Sequence, residues 1–273
     1  MNVTRFTLIA AAMALALGAP LTARAELAQY YIGIDSRDTP YDAPASEGGG
    51  AYPDNPNENR LTLLLQHGSH YHGIGQYTYS GSAASPTLVD TNSNNRLPEG
   101  YTGQEPLPLL PGSGVYAGKM TSKALFGVTY SDLEMLNVQS LDGAGALEQV
   151  LFDSSSGRWN AEFDTAHIHL ELVSVSSPLL GVGTLGNPNA LSFGGDVHLG
   201  DGDELFSFTP VLWVDEAAPV GTYSAEFRLV DESSAFGDSG RFFIDVQQVP
   251  EPTALSLAGV VMIALGVTRR RNA

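Results

Sequence analysis

The chain has 273 residues, with 13 Lys or Arg against 30 Asp or Glu, a formal net charge of −17 and no cysteine. So acidic a polypeptide repels phosphate backbones and anionic headgroups, which excludes nucleic acid as a partner, and the missing thiols exclude disulfides and thiolate metal sites. Stability must come from an ordinary core, for which 43% hydrophobic residues are sufficient.

At the front, Arg5 precedes an apolar run over residues 6–17, and Ala23-Arg24-Ala25 supplies the small residues of a cleavage site. These are the parts of a secretory signal peptide, so residues 1–25 are read as removed on export, with Glu26 left first. The apolar run is shorter than the roughly 18 to 20 residues that span a bilayer. The exported region, residues 26–249, holds eight of the basic residues and 29 of the acids. It is read as one β-rich unit or as two, over 26–124 and 125–249.

Within it, residues 35–60 carry Pro40, Pro44, Gly48-Gly49-Gly50, Pro53 and Pro56 and read as loop. Residues 60–65 and 76–79 read as strands flanking a histidine cluster, and the Pro-, Asn- and Gly-rich residues 85–114 as a long surface excursion. Short β-rich runs follow at 126–130, 133–138, 159–163, 167–175, 206–214, 223–230 and 241–247, with no helical periodicity among them. In the penultimate run Tyr223, Ala225, Phe227 and Leu229 alternate with Ser224, Glu226 and Arg228. A Gly-x-Tyr entry to that run and a last strand behind it predict the closing hairpin of an immunoglobulin-like antiparallel β-sandwich with long loops. The fold class is therefore all-β.

At the back, Val249-Pro250-Glu251-Pro252 leads into an apolar stretch over residues 253–268 and then Arg269-Arg270-Arg271. Basic residues directly after an apolar helix hold that end in the cytoplasm and leave the rest outside. The order of Pro-Glu-Pro, transmembrane helix and Arg cluster resembles the PEP-CTERM sorting signal. The resemblance implies processing by an exosortase and a final place at the cell surface, outer membrane or extracellular matrix, after transient anchoring in the cytoplasmic membrane.

The six histidines are grouped. His67, His70 and His72 fall in Gln66-His67-Gly68-Ser69-His70-Tyr71-His72-Gly73, His167 and His169 in Ala166-His167-Ile168-His169-Leu170-Glu171, and His198 stands between Asp196 and Asp201. Side chains two apart on a strand share a face, so each His-x-His presents two imidazoles the same way, as half of a metal site. His70, His72, His167 and His169 are the first-choice ligands of one common centre. A turn at Gly68 brings His67 to join them, and a loop brings His198. Imidazole with carboxylate suits zinc, and less exclusively Cu(II) or Ni(II), with affinity falling below about pH 6.5 as the rings protonate. The acids Asp196, Asp201, Asp203 and Glu204 in a Gly-rich loop offer oxygen ligands for calcium, although their spacing is not that of an EF-hand and a solvated acidic turn is the preferred reading. No Gly-x-Ser-x-Gly elbow, His-Glu-x-x-His helix or phosphate-cradling loop is present, so no catalytic residue is assigned.

The segment from Asn59 to Gly75, with His167-Ile168-His169-Leu170-Glu171 and the Pro-Glu-Pro tail, resembles the Zur-repressed PEP-CTERM proteins of cyanobacteria and other Gram-negative bacteria. That resemblance implies expression under zinc limitation and a part in zinc acquisition or homeostasis. It points to a non-enzymatic zinc-binding surface protein, with a zinc uptake system or exopolysaccharide as its neighbour. Two other readings are a structural exopolysaccharide-associated matrix protein with incidental histidines, and a zinc hydrolase with Glu171 as a free base.

Overall fold

The structure, a computed structural model, describes residues 29–39, 42–43, 50–52 and 54–249. The signal peptide expected at residues 1–25 and the sorting tail expected at 250–273 lie outside them. The described residues are mainly β. Along the first part of the chain the strands are β1 (Tyr30–Ile34), β2 (Asp42–Ala43), β3 (Gly50–Ala51), β4 (Leu61–His67), β5 (His70–Ile74), β6 (Thr78–Ser82) and β7 (Ser85–Val89). Short pieces follow, namely β8 (Arg96–Leu97), β9 (Leu107–Pro108), β10 (Leu110–Pro111), β11 (Lys119–Thr121) and β12 (Met135–Asn137), then a helix α1 (Ala146–Phe152). The last part holds β13 (His167–Val175), β14 (Gly181–Thr184), β15 (Asn187–Leu191), β16 (Asp196–Asp201), β17 (Ser207–Phe208), β18 (Pro210–Asp215), β19 (Gly221–Asp231) and β20 (Phe242–Gln248).

Three larger sheets organise these strands, in the orders β17-β12-β1-β4-β5, β10-β11-β18-β14-β15 and β16-β13-β19-β20-β8, with β9 also on β20. Their inner residues form a single hydrophobic cluster. β1 lies in the middle of its sheet, and every one of its five residues is buried. A strand covered on both faces carries no apolar-polar alternation, which is why the pattern of residues 26–34 announces nothing. In β19, by contrast, Tyr223, Ala225, Phe227 and Leu229 are buried while Ser224 and Arg228 are half-exposed, and β20 pairs with it antiparallel from Gly221↔Gln248 to Phe227↔Phe242.

The structure corrects several expectations. Residues 85–114 are a surface excursion only in part: β7 is largely exposed, but Leu97, Leu107 and Leu109 are buried, and β8 and β9 run parallel to β20. Without them β20, with Phe242, Ile244 and Val246 fully buried, would be an open apolar edge, and covering such an edge removes an aggregation hazard. The run at 206–214 is two strands, because β17 pairs with β12 in one sheet and β18 with β11 and β14 in another. Residues 126–130 and 159–163 are not strands. Their Tyr130, Trp159 and Phe163 are buried from loops, with Tyr130 at φ 70. Asp196 to Asp201 is a strand rather than a loop. Among the described residues no helix is long and apolar enough to cross a membrane.

Candidate metal centre

The histidines assemble as two clusters on two sheets. His67, His70 and His72 occupy the tip of the β4–β5 hairpin, where Leu63 lies opposite Ile74, Leu65 opposite His72 and His67 opposite His70. Opposed residues, and residues two apart, share a face. The face that carries Leu63, Leu65 and Ile74 inside the core therefore carries three imidazoles where the hairpin leaves it. Gly68-Ser69 closes the hairpin in two residues, with Gly68 at φ 66 in the first central position, where a type II′ turn requires a positive φ.

The ring centroids of the three histidines are 4.7 to 5.3 Å apart, and one nitrogen from each lies within 4.8 Å of the others. His70 Nε2 and His72 Nε2 are separated by 3.3 Å. Two imidazole nitrogens that each lie about 2.0 to 2.1 Å from one tetrahedral zinc ion are roughly 3.3 Å apart.

A buried carboxylate sets the direction of His72. Glu99, 3% exposed, places Oε1 at 2.9 Å from His72 Nδ1. That contact fixes the ring so that Nε2 faces His70, the orienting arrangement typical of a metal-ligating histidine. Glu99 also accepts from the hydroxyls of Tyr101 at 3.1 Å and Tyr130 at 3.0 Å. Burial, and then the hydrogen bond to Glu99, push the Tyr130 phenol well above its ordinary range, so it remains a donor. Tyr30, opposite Leu65 of the hairpin, donates to the Tyr130 carbonyl at 3.2 Å and closes the network on β1, the strand beside the hairpin. Glu99 is held in place by β8, whose Arg96 and Leu97 are in register with Phe243 and Ile244 of β20. Sequence reasoning missed it, because one acid among 30 in a Pro- and Gly-rich segment carries no spacing signal toward the histidines.

The second cluster lies on β13 and β16 at the edge of the third sheet. His169 is opposite His198, His169 Nδ1 is 2.8 Å from Asp196 Oδ1, and His169 Nε2 is 3.3 Å from Glu232 Oε2. His198 Nε2 is 3.1 Å from Asp201 Oδ1, and His167 Nδ1 is 3.9 Å from the same oxygen. The common centre expected of His70, His72, His167 and His169 is not formed: no strand pairing joins the hairpin to β13 or β16, and the two groups of candidate ligand atoms are separate. His67 does come round to His70 and His72, and His198 reaches the other pair from a strand. The acids considered as calcium ligands are spread along and beyond β16, and among the described residues only Asp196 of the four belongs to a potential metal group. Glu171 is not free to act as a base, since Arg228 Nε and Nη2 both donate to its Oε2, the former at 2.9 Å.

Compared with protein-family models, curated proteins and solved structures, the chain matches none.

Proposed function

We propose that this protein is a non-enzymatic zinc-binding protein of the cell surface or periplasm, which takes Zn²⁺ at His67, His70 and His72 and serves zinc acquisition or homeostasis when zinc is scarce. The observation that carries this reading is the 3.3 Å spacing of His70 Nε2 and His72 Nε2, with Glu99 holding the far nitrogen of His72. An imidazole turned by Glu99 toward a second one, across the spacing of a zinc coordination sphere, sets two nitrogens where one zinc ion can bind both. Three imidazoles leave the fourth position for water or for a donor from a receiving protein, and an exposed rim lets the ion be passed on. A hydrolase needs a free base beside the ion, and Glu99 is committed to His72 as Glu171 is to Arg228.

Export, exosortase processing of a PEP-CTERM tail, zinc-dependent expression and a zinc uptake system as receiving partner belong to the same proposal. They rest on the residues of the two ends and on the histidine-rich segment. The antiparallel β19–β20 pair and the single core shared with the β11–β18–β14 sheet favour an immunoglobulin-like sandwich for the later part of the chain.

Thermal unfolding with Zn²⁺ or Ca²⁺ tests this reading against the matrix-protein alternative. Zinc at a hundred times its dissociation constant stabilises the fold by about 2.7 kcal/mol, which for a domain of this size is a rise of roughly 5 to 10 °C, whereas calcium gives none. A rise with calcium and none with zinc overturns the zinc assignment in favour of the matrix protein. Glu99→Ala is expected to weaken zinc binding about 10- to 100-fold in a calorimetric titration, because His72 is then free to turn its ring and shift its proton. Unchanged affinity would show that Glu99 does not orient the ligand.

A further inference from the structure

We infer that the β13–β16 edge holds a second, weaker site for a divalent cation of the borderline class, with His169 Nε2 and Glu232 as its protein ligands, Asp196 orienting the ring and the His198 imidazole alongside. The inference uses none of the hairpin residues.

A bulge makes this cluster possible. Ile168 pairs with Gly200 and His169 with His198, so β16 carries Leu199 as an extra residue between those two pairs. A regular ladder would set Leu199 opposite His169 and send His198 to the other face. The bulge instead buries Leu199 and puts His198 beside His169, with ring centroids 5.0 Å apart, which is the re-aiming that bulges perform near functional sites. The hairpin's orienting contact recurs here. Asp196 engages Nδ1 of His169 at 2.8 Å, as Glu99 engages Nδ1 of His72 at 2.9 Å, and each contact leaves Nε2 directed at a second ligand atom 3.3 Å away. In the second cluster that atom is the Glu232 carboxylate.

Glu232 is not on a loose side loop. Its backbone N–H donates to the His167 carbonyl at 2.9 Å. The preceding Asp231 accepts from the backbone N–H groups of His167, Ser233 and Phe236 at 2.8 to 3.0 Å, which fixes the turn against β13. An imidazole oriented by Asp196 and a carboxylate carried on an anchored turn, with a second imidazole alongside, is a donor set for zinc-like ions. It has fewer imidazoles than the hairpin and more exposed carboxylates, so its affinity is lower.

The test is calorimetric titration of the full-length chain with Zn²⁺ alone. The native protein is expected to bind two equivalents, with the second at least ten-fold weaker. His169→Ala with Glu232→Gln removes the weaker equivalent and keeps the tighter one, and His169→Gln with Glu232→Gln does the same while conserving side-chain volume if the alanine variant unfolds. Changing His67, His70 and His72 to alanine leaves only the weaker equivalent. A weaker step that survives both His169 variants, or a triple hairpin variant that binds no zinc, overturns the second site and makes the cluster an ion pair only. Loss of the hairpin reading has a different signature, in which the triple variant binds both equivalents as the native protein does.

Discussion

Replacing His67, His70 and His72 together by alanine is expected to abolish the tighter zinc-binding step, since the three imidazoles are all of its proposed protein ligands. The same change should cost the metal-free fold little. His67 and His70 are exposed at the hairpin tip, and the strands below are pinned by Leu63, Leu65 and Ile74, all buried. His72 is the exception, because its loss leaves Glu99 short of a donor in a buried position. A His67→Ala, His70→Ala pair therefore accompanies the triple variant, and binding should collapse in both while only the triple variant loses appreciable metal-free stability. Tight binding retained by the double variant would mean that the ion does not sit between these rings.

The largest effect on stability is expected at Asp35, which has no part in the candidate metal site. Asp35 is fully buried at the end of β1. It accepts from Arg158 Nε at 2.9 Å, from Arg158 Nη2, from Asn55 Nδ2 at 3.1 Å and from the Arg37 backbone N–H at 3.1 Å. These bonds tie the first strand to the loop before β4 and to the segment that sets Trp159, whose ring lies under the Arg158 guanidinium at 4.3 Å. Removing one member of a buried pair leaves the other charge without compensation and costs about 3 to 5 kcal/mol. For a domain of this size Asp35→Ala should lower the melting temperature by roughly 10 °C. Asp35→Ala combined with Arg158→Met should recover much of that, because a buried pair replaced by apolar groups is often nearly neutral. A single variant that melts within a degree or two of the native protein would show that the pair is not a structural tie.

Parts of this molecule are legible without coordinates. β13 coincides with the expected run at residues 167–175, and β19 and β20 lie within a residue or two of their expected bounds. These are strands on which an apolar face opposes a polar one. That His70 and His72 share a face, and that His67 returns to them across Gly68, follows from the two-residue period of a strand and the freedom of glycine at positive φ. Other elements leave no such trace. β1 is covered on both sides and does not alternate, α1 is too short for a helical period, and β8 and β9 are two-residue pieces whose strand character comes from β20 alone.

What the amino-acid order determined by itself is local: an all-β chain, an acidic surface, and imidazoles paired along single strands, since each depends on residue type and on a spacing of two. What tertiary structure alone decided is which groups from distant segments meet. The histidines serve two clusters instead of one because the hairpin and the β13–β16 pair belong to different sheets. Glu99 reaches His72 across 27 positions only because β8 docks on β20. His198 faces His169 only because one extra residue bulges in β16. Contacts of that range are set by strand pairing and by closure of a common core, and no period along the chain encodes them.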